Sequence, residues 1–293
     1  MNKKSIRSIL AIFLALTIAF FVAKANEAYA IQWNGYSVYL MVGVLAFVIN
    51  WIVFIPSYIS QTEKYYDLTG SLTYLSVLAS TFIFGNIIDN PRAILVAVLV
   101  GIWTIRLGSF LFARISNDGG RDHRFDDIKP NFFRFLTAWS IQALWVFLTL
   151  CAGLAVLTST KTVEIDIYAI LGLLVWLIGF GIEVTADSQK NKFKTDLTNK
   201  GRFISTGLWA YSRHPNYFGE IILWTGIFII AVPVLEGWQW ITIISPIFVY
   251  LLLNYVSGIN LLEKIADDRW GGNADYEAYK ARTSVLVLRP RKG

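Results

Sequence analysis

The chain is short of the residues that crosslink a fold or hold a metal. Its one cysteine, Cys151, lies inside an apolar run. That excludes an internal disulfide and CxxC chemistry and leaves the thiol as core filling. Its two histidines, His123 and His214, have no ligand spacing around them, so no metal site is expected. Charge is scarce too: 16% of the 293 residues are Asp, Glu, Lys or Arg, against 55% hydrophobic. With a mean hydropathy of +0.52, so much apolar surface does not fit inside one water-soluble core. Internal repeats, low-complexity tracts and long linkers are absent, so the sequence reads as one integral membrane domain over 1–293.

What is present is a series of apolar runs, each near the roughly 20 residues a spanning helix needs. They lie at 8–23, 38–58, 72–88, 94–113, 135–157, 168–186, 217–235 and 239–259. The expected fold is therefore an all-α, polytopic membrane helix bundle of about eight spans. Lys3, Lys4, Arg7, Lys64, the 114–134 and 190–213 loops and the 264–292 tail collect most of the basic residues. Lys24, Arg92 and Lys161 are left for the other side. The positive-inside rule then puts both termini in the cytoplasm. Basic loops also account for the net charge of +6 without nucleic acid. The first run, preceded by KKSIR and followed by AYA at 28–30, also fits a secretory signal, whose removal would leave seven spans.

Unusual polar residues gather at the cytoplasmic ends of these runs. In QTEKYYDLTGS at 61–71, Glu63, Tyr65, Tyr66 and Asp67 offer acids and phenols able to donate a proton or bond a carbonyl. A solvated loop with interfacial tyrosines reads the same way. Arg106 inside the fourth run implies a partner or a polar cavity. Arg114, Arg121 and Arg124 could bind phosphate, or pair with Asp118, Asp122, Asp126 and Asp127 in a structural loop. If the sixth helix continues beyond the membrane, Glu183, Asp187, Lys190 and Lys194 share one face. A salt-bridged helix surface would share that pattern.

The fourth cluster is YSRHPNYFGE at 211–220, preceded by glycine turns at Gly201 and Gly207. Pro215 suits the first turn of a helix, whose N-terminus favours an anionic group. Arg213 and His214 sit at that end, while Asn216, Glu220 and Trp224 recur every four residues. A carboxylate such as Glu220 at the edge of a span faces a cavity or a partner such as Arg106 or Arg213. The decapeptide reads as a device for holding an anionic, amide- or amine-bearing ligand, with a plain helix-start motif as the alternative.

At these residues the chain resembles the steroid 5-alpha-reductase-like membrane proteins, above all their bacterial branch. The likeness is carried by Asp187-Ser188, Lys190, Phe193-Lys194, KGRF at 200–203, GLW at 207–209, the decapeptide, and YEAY at 276–279. YYDLTGSLTY and GRDHRFDD extend it over roughly 60–290. The resemblance implies a bacterial inner-membrane reductase, its active site facing the cytoplasm. It would use NADPH to pass hydride to an activated carbon–carbon double bond of a steroid-, isoprenoid- or lipid-like substrate from the bilayer. It further implies that Asp187, Asn216 and Glu220 contact nicotinamide and ribose. Arg106, Arg114, Lys190, Arg202, Tyr211, Arg213, His214 and Tyr276 would complete the cofactor site, and Glu63 and Tyr66 would act on the substrate. The chain departs from the steroid reductases in three places. Thr62 separates Gln61 from Glu63, the fourth run has Trp103-Thr-Ile-Arg106 without a tyrosine, and Leu262–Arg269 lacks a late arginine–histidine pair.

A second likeness is to the isoprenylcysteine carboxyl methyltransferases, which use S-adenosylmethionine. It rests on Arg213-His214-Pro215-Asn216-Tyr217 with Glu263, Tyr276 and Tyr279. A membrane protein that binds lipid without catalysis is the third reading.

Overall fold

The computed structural model describes residues 3–85, 87–117, 122, 125–256 and 258–290, with 111–117 and 256 described by backbone alone. The fold is all-α. Ten helices can be numbered along the described chain: α1 Lys3–Glu27, α2 Val38–Ile59, α3 Tyr66–Phe84, α4 Pro91–Asn117, α5 Phe132–Leu157, α6 Ile167–Thr195, α7 Pro215–Ala231, α8 Ile244–Leu251, α9 Ile259–Trp270 and α10 Ala274–Arg282. Among the described residues, eight helical stretches are long and apolar enough to cross a membrane. This is a polytopic membrane bundle. The third span starts and ends earlier than the expected 72–88. Asp67 sits in its first turn, where the helix dipole favours an acid, and Gly85 leaves helical geometry at φ −99°, ψ 167°.

The chain divides into two compact units, residues 1–166 with 231–244, and 167–230 with 245–293. In the first unit α5 is the central helix. It is buried at every position from 146 to 158, as its all-round apolar sequence requires, and α1 and α2 pack on it. Polar side chains inside this unit pair across helices: Asn50 Nδ2 donates to Thr73 Oγ1 at 3.1 Å and Trp51 Nε1 to Ser140 Oγ at 3.0 Å. Arg92, fully buried at the start of α4, donates to the Glu164 carbonyl at 2.6 Å and pairs with Asp166 at 2.8 Å. The strands β1 (Gln32–Trp33) and β2 (Tyr36–Ser37) form a hairpin closed by Asn34 and Gly35 at φ 49° and 81°, a tight turn that Asn-Gly adopts readily.

In the second unit α6 and α7 run antiparallel with their backbones in near contact. A Cβ on Gly179 would lie 2.6 Å from the Gly219 carbonyl, and one on Gly172 would lie 2.6 Å from that of Gly226. On each helix the two glycines are seven residues apart, about two helical turns, so one face of each helix is repeatedly without a side chain. This approach sets the polar sequence motifs of the two helices side by side.

Candidate functional site

The site in the second unit is built on that helix pair. The condition for a shared face is met: α6 continues past its apolar run to Thr195, and its polar stripe passes from buried Glu183 and Asp187 to half-buried Lys190 and exposed Lys194. Pro215 opens α7. Asn216, in the first turn of α7, donates from Nδ2 to Asp187 Oδ1 at 3.2 Å, joining two residues 29 positions apart. Between the helices the chain is pinned to α6. Gln189 Oε1 accepts from the Leu208 N–H at 2.9 Å, Trp209 Nε1 donates to the Ala186 carbonyl at 3.0 Å, and Lys190 Nζ lies 4.7 Å from the Trp209 ring centroid. Gly207 is required here: its φ is +61° and a Cβ would meet Gln189 Oε1 at 2.5 Å.

Beside this pair sits a second constellation centred on Glu263 of α9. Arg213 reaches it with both edges of its fork, Nε to Oε1 at 3.2 Å and Nη2 to Oε2 at 2.7 Å. Nη1 of the same guanidinium bonds the carbonyls of Lys280 and Thr283 at the end of α10, where the helix dipole favours a cation. His214 Nε2 lies 2.9 Å from Glu263 Oε1. Burial holds its imidazole below the ordinary value of 6.5 against the opposing pull of Glu263. The ring is therefore neutral at pH 7, and Nε2–H donates to the carboxylate.

The C-terminal segment closes over this centre. The Arg213 N–H donates to the Ser284 carbonyl at 2.8 Å, Ser212 Oγ to the Leu286 carbonyl at 2.7 Å, and the Arg289 N–H to the Tyr211 carbonyl at 3.2 Å. Buried Tyr276 donates to Asp267 Oδ1 at 2.8 Å, and Lys280 reaches the same oxygen at 2.6 Å. Burial, then that hydrogen bond, pushes the Tyr276 phenol well above its ordinary value, so it acts as a donor throughout the neutral range. Tyr279 donates to the Trp209 carbonyl at 2.7 Å, and Phe203 packs on both tyrosines at 5.4 Å.

The expected residues separate into three groups. Asp187 meets Asn216, and Lys190 meets Trp209. Glu220 is half-buried on α7, and the partner of Arg213 is Glu263 where Glu220 was a candidate. Arg213 and His214 come together on Glu263, and through Glu263 they are committed to the protein itself. This alters the role expected for Arg213: every nitrogen of its fork bonds the chain, so it braces the motif where a cofactor ligand was expected. Arg202 and Tyr211 are exposed. Glu263, Asp267, Trp209 and Tyr279 were not among the expected site residues. Glu263 had one signal in the sequence, its recurrence with the arginine-histidine-proline motif in the second family likeness.

Glu63, Tyr66 and Arg106 belong to the first unit. Buried Glu63 accepts from the Asp122 N–H at 2.8 Å through Oε1 and from Lys129 Nζ at 2.7 Å through Oε2. Burial works against the Lys129 ammonium, but hydrogen bonds to Glu63 and Asp126 outweigh it and hold its pKa above the ordinary value. Tyr66 donates to the Ala138 carbonyl at 2.9 Å, its ring against Phe125 and Trp139. Glu63 thus anchors the segment between α4 and α5, and Tyr66 ties the start of α3 to α5. Arg106 lies 5.4 Å from the Phe110 ring. The side chains of Arg114, Asp118, Arg121, His123 and Arg124 lie outside the described residues.

The family described as "Protein of unknown function (DUF1295)" matches residues 53–283, a span containing both constellations. The chain belongs to the DUF1295 family. This DUF1295 protein is also similar to an uncharacterised protein of Schizosaccharomyces pombe, 24% identical over 171 residues, covering 50% of each chain. It therefore spans about half the length of that curated relative. No solved structure matches it.

Proposed function

We propose that the chain is a membrane oxidoreductase that uses NADPH to reduce an activated carbon–carbon double bond of a hydrophobic substrate taken from the bilayer, with the cofactor held on the cytoplasmic side. The observation that carries this reading is the contact between Asp187 and Asn216. A buried carboxylate and a primary amide beside the first turn of α7 supply the acceptors and donors that a carboxamide and ribose hydroxyls require. Exposed Lys192, Lys194, Lys200 and Arg202 give a basic edge suited to phosphates. NADPH, when bound, supplies the hydride. In this reading Asp187 and Asn216 orient the reacting end of the cofactor, Lys190 and the basic edge balance its charge, and the Arg213–Glu263 brace keeps the start of α7 fixed.

A second reading, an S-adenosylmethionine-dependent methyltransferase, is favoured by one observation: Arg213, His214 and Glu263, which carry that family likeness, meet in one hydrogen-bonded cluster. Thermal unfolding of the purified chain with each cofactor separates the two. NADPH at a hundred times its Kd stabilises by about 2.7 kcal/mol, and the effect shrinks in Asp187→Asn and Asn216→Ala while their unliganded melting stays near wild type. Stabilisation by S-adenosylmethionine alone would transfer the chain to the methyltransferase reading. No response to either would leave a lipid-binding membrane protein.

A further inference from the structure

The C-terminal segment uses one side to hold the motif and leaves the other side open. Facing the motif, the carbonyls of Ser284 and Leu286 accept from the Arg213 N–H and from Ser212 Oγ, and the Arg289 N–H donates to the Tyr211 carbonyl. Burial follows this division: Ser284, Leu286 and Leu288 are half-buried, whereas Val285, Val287 and Arg289 are exposed. The open side is largely apolar, with Val285 at 40%, Val287 at 38% and Tyr211, bonded to Arg289, at 49% exposure. The place of the segment is fixed as well. Its partner Arg213 stands two residues before Pro215, which opens α7, and Pro215 also begins one of the stretches long and apolar enough to cross a membrane. The segment therefore lies where a span leaves hydrocarbon for water.

Its charge has one sign. Residues 278–293 hold Lys280, Arg282, Arg289, Arg291 and Lys292 and no acid. The acids of the neighbouring α9 and α10 have their own places. Glu263 holds Arg213 and His214, and Asp267 holds Tyr276 and Lys280. Asp268 adjoins Arg269 in the sequence, and Asp275 and Glu277 stand in the first turn of α10, at the end away from the segment. Basic residues beside a span are ordinary and by themselves call for nothing more. Two exposed valines and a tyrosine, with the exposed arginines 282 and 289 at either end, form the pattern of a surface that enters a headgroup layer. Aliphatic groups reach the acyl boundary while guanidinium groups stay with the phosphates. A soluble anion would satisfy the arginines and leave the valines in water.

We propose that residues 282–289, with Tyr211, form a docking surface for a bilayer that carries anionic phospholipid. Val285, Val287 and Tyr211 enter the acyl boundary, and Arg282 and Arg289 take the lipid phosphates. Because the segment is bonded to residues 211–213, the same contact supports the start of α7. The test uses the full chain with Cys151→Ala and Val287→Cys, labelled with bimane and placed in phosphatidylcholine nanodiscs with or without phosphatidylglycerol. A nitroxide on the headgroup of a trace lipid quenches the probe only when residue 287 reaches that layer. Strong quenching is expected with phosphatidylglycerol, and Arg282→Gln/Arg289→Gln lowers the docked-to-undocked ratio about fivefold per arginine. Quenching indifferent to phosphatidylglycerol, or equal in the double variant, overturns the proposal. So does a probe in detergent that responds as fully to soluble glycerol phosphate, which marks a site for free phosphate and not for a lipid surface. The unlabelled wild type gives a second reading that needs no substitution. Tryptic cleavage after Arg282 is expected to slow in nanodiscs containing phosphatidylglycerol, and one rate in both lipids also overturns the docking surface.

Discussion

Glu63 and Glu263 are both buried or half-buried carboxylates that hold a cation, and they solve the same problem differently. Glu63 takes a backbone N–H and the ammonium of Lys129, and Lys129 has a second carboxylate, Asp126, at 3.3 Å. Among the described residues, Glu263 is the one carboxylate within salt-bridge distance of Arg213, and it also receives His214. The first arrangement is redundant and closes a loop. The second concentrates a guanidinium, an imidazole and two helix ends on one side chain. A brace without a backup is what a site needs when its geometry must be held, and redundancy is what a loop anchor tolerates.

The largest expected effect therefore falls on the Glu263 centre. Glu263→Gln leaves the Arg213 guanidinium without its counter-charge and should cost about 3 kcal/mol of unfolding free energy, the lower end for breaking a buried pair, because the side chains are 12% and 20% exposed. Chemical unfolding in detergent measures it. A loss no larger than that of an exposed pair, under about 1 kcal/mol, would break the contrast.

Glu63→Gln is expected to cost less, about 1–2 kcal/mol, because Lys129 retains Asp126 and an amide oxygen still accepts from Asp122. Limited proteolysis between α4 and α5 should accelerate in this variant while the response to NADPH stays at the wild-type level. A lost NADPH response would return Glu63 to the working site and dissolve the distinction drawn between the two centres.

The smallest effect is a pH dependence carried by His214. Its folded pKa lies below 6.5, so the unfolded chain binds the proton more readily. Its contribution to stability is complete above about pH 6.5 and is lost as pH falls through the folded value. His214→Gln keeps an N–H donor toward Glu263 and should flatten the stability profile between pH 7 and 5. Unfolding series on the two proteins at pH 8, 6 and 5 compare the slopes. Equal slopes would mean that the imidazole at Glu263 adds nothing to the brace.

Much of the fold was legible because membrane burial imposes a length and a composition on each helix. The apolar runs marked all eight spans, Pro215 marked the start of α7, and Gly201 and Gly207 do take positive φ, at 84° and 61°. The early end of α3 was less visible, because it does not change hydropathy. In the site, spacing alone put Asp187 and Lys190 on one stripe and Asn216 on the face of Glu220. Partner choice was hidden: Arg213 and Glu263 are 50 residues apart, and nothing in their local sequence announces which acid a guanidinium meets.

The sequence by itself determined an all-α membrane protein, because 55% hydrophobic residues gathered into runs of spanning length allow no other way to satisfy the backbone. It also determined where polar chemistry was concentrated. Only the tertiary structure decided what that chemistry is tied to. The glycine faces let α6 and α7 approach closely enough for Asp187 to meet Asn216. The return of α9 and α10 delivered Glu263 and the carbonyls at 280 and 283 to Arg213. Hydropathy is a property of each segment, whereas a hydrogen bond between distant residues depends on the packing of several segments at once.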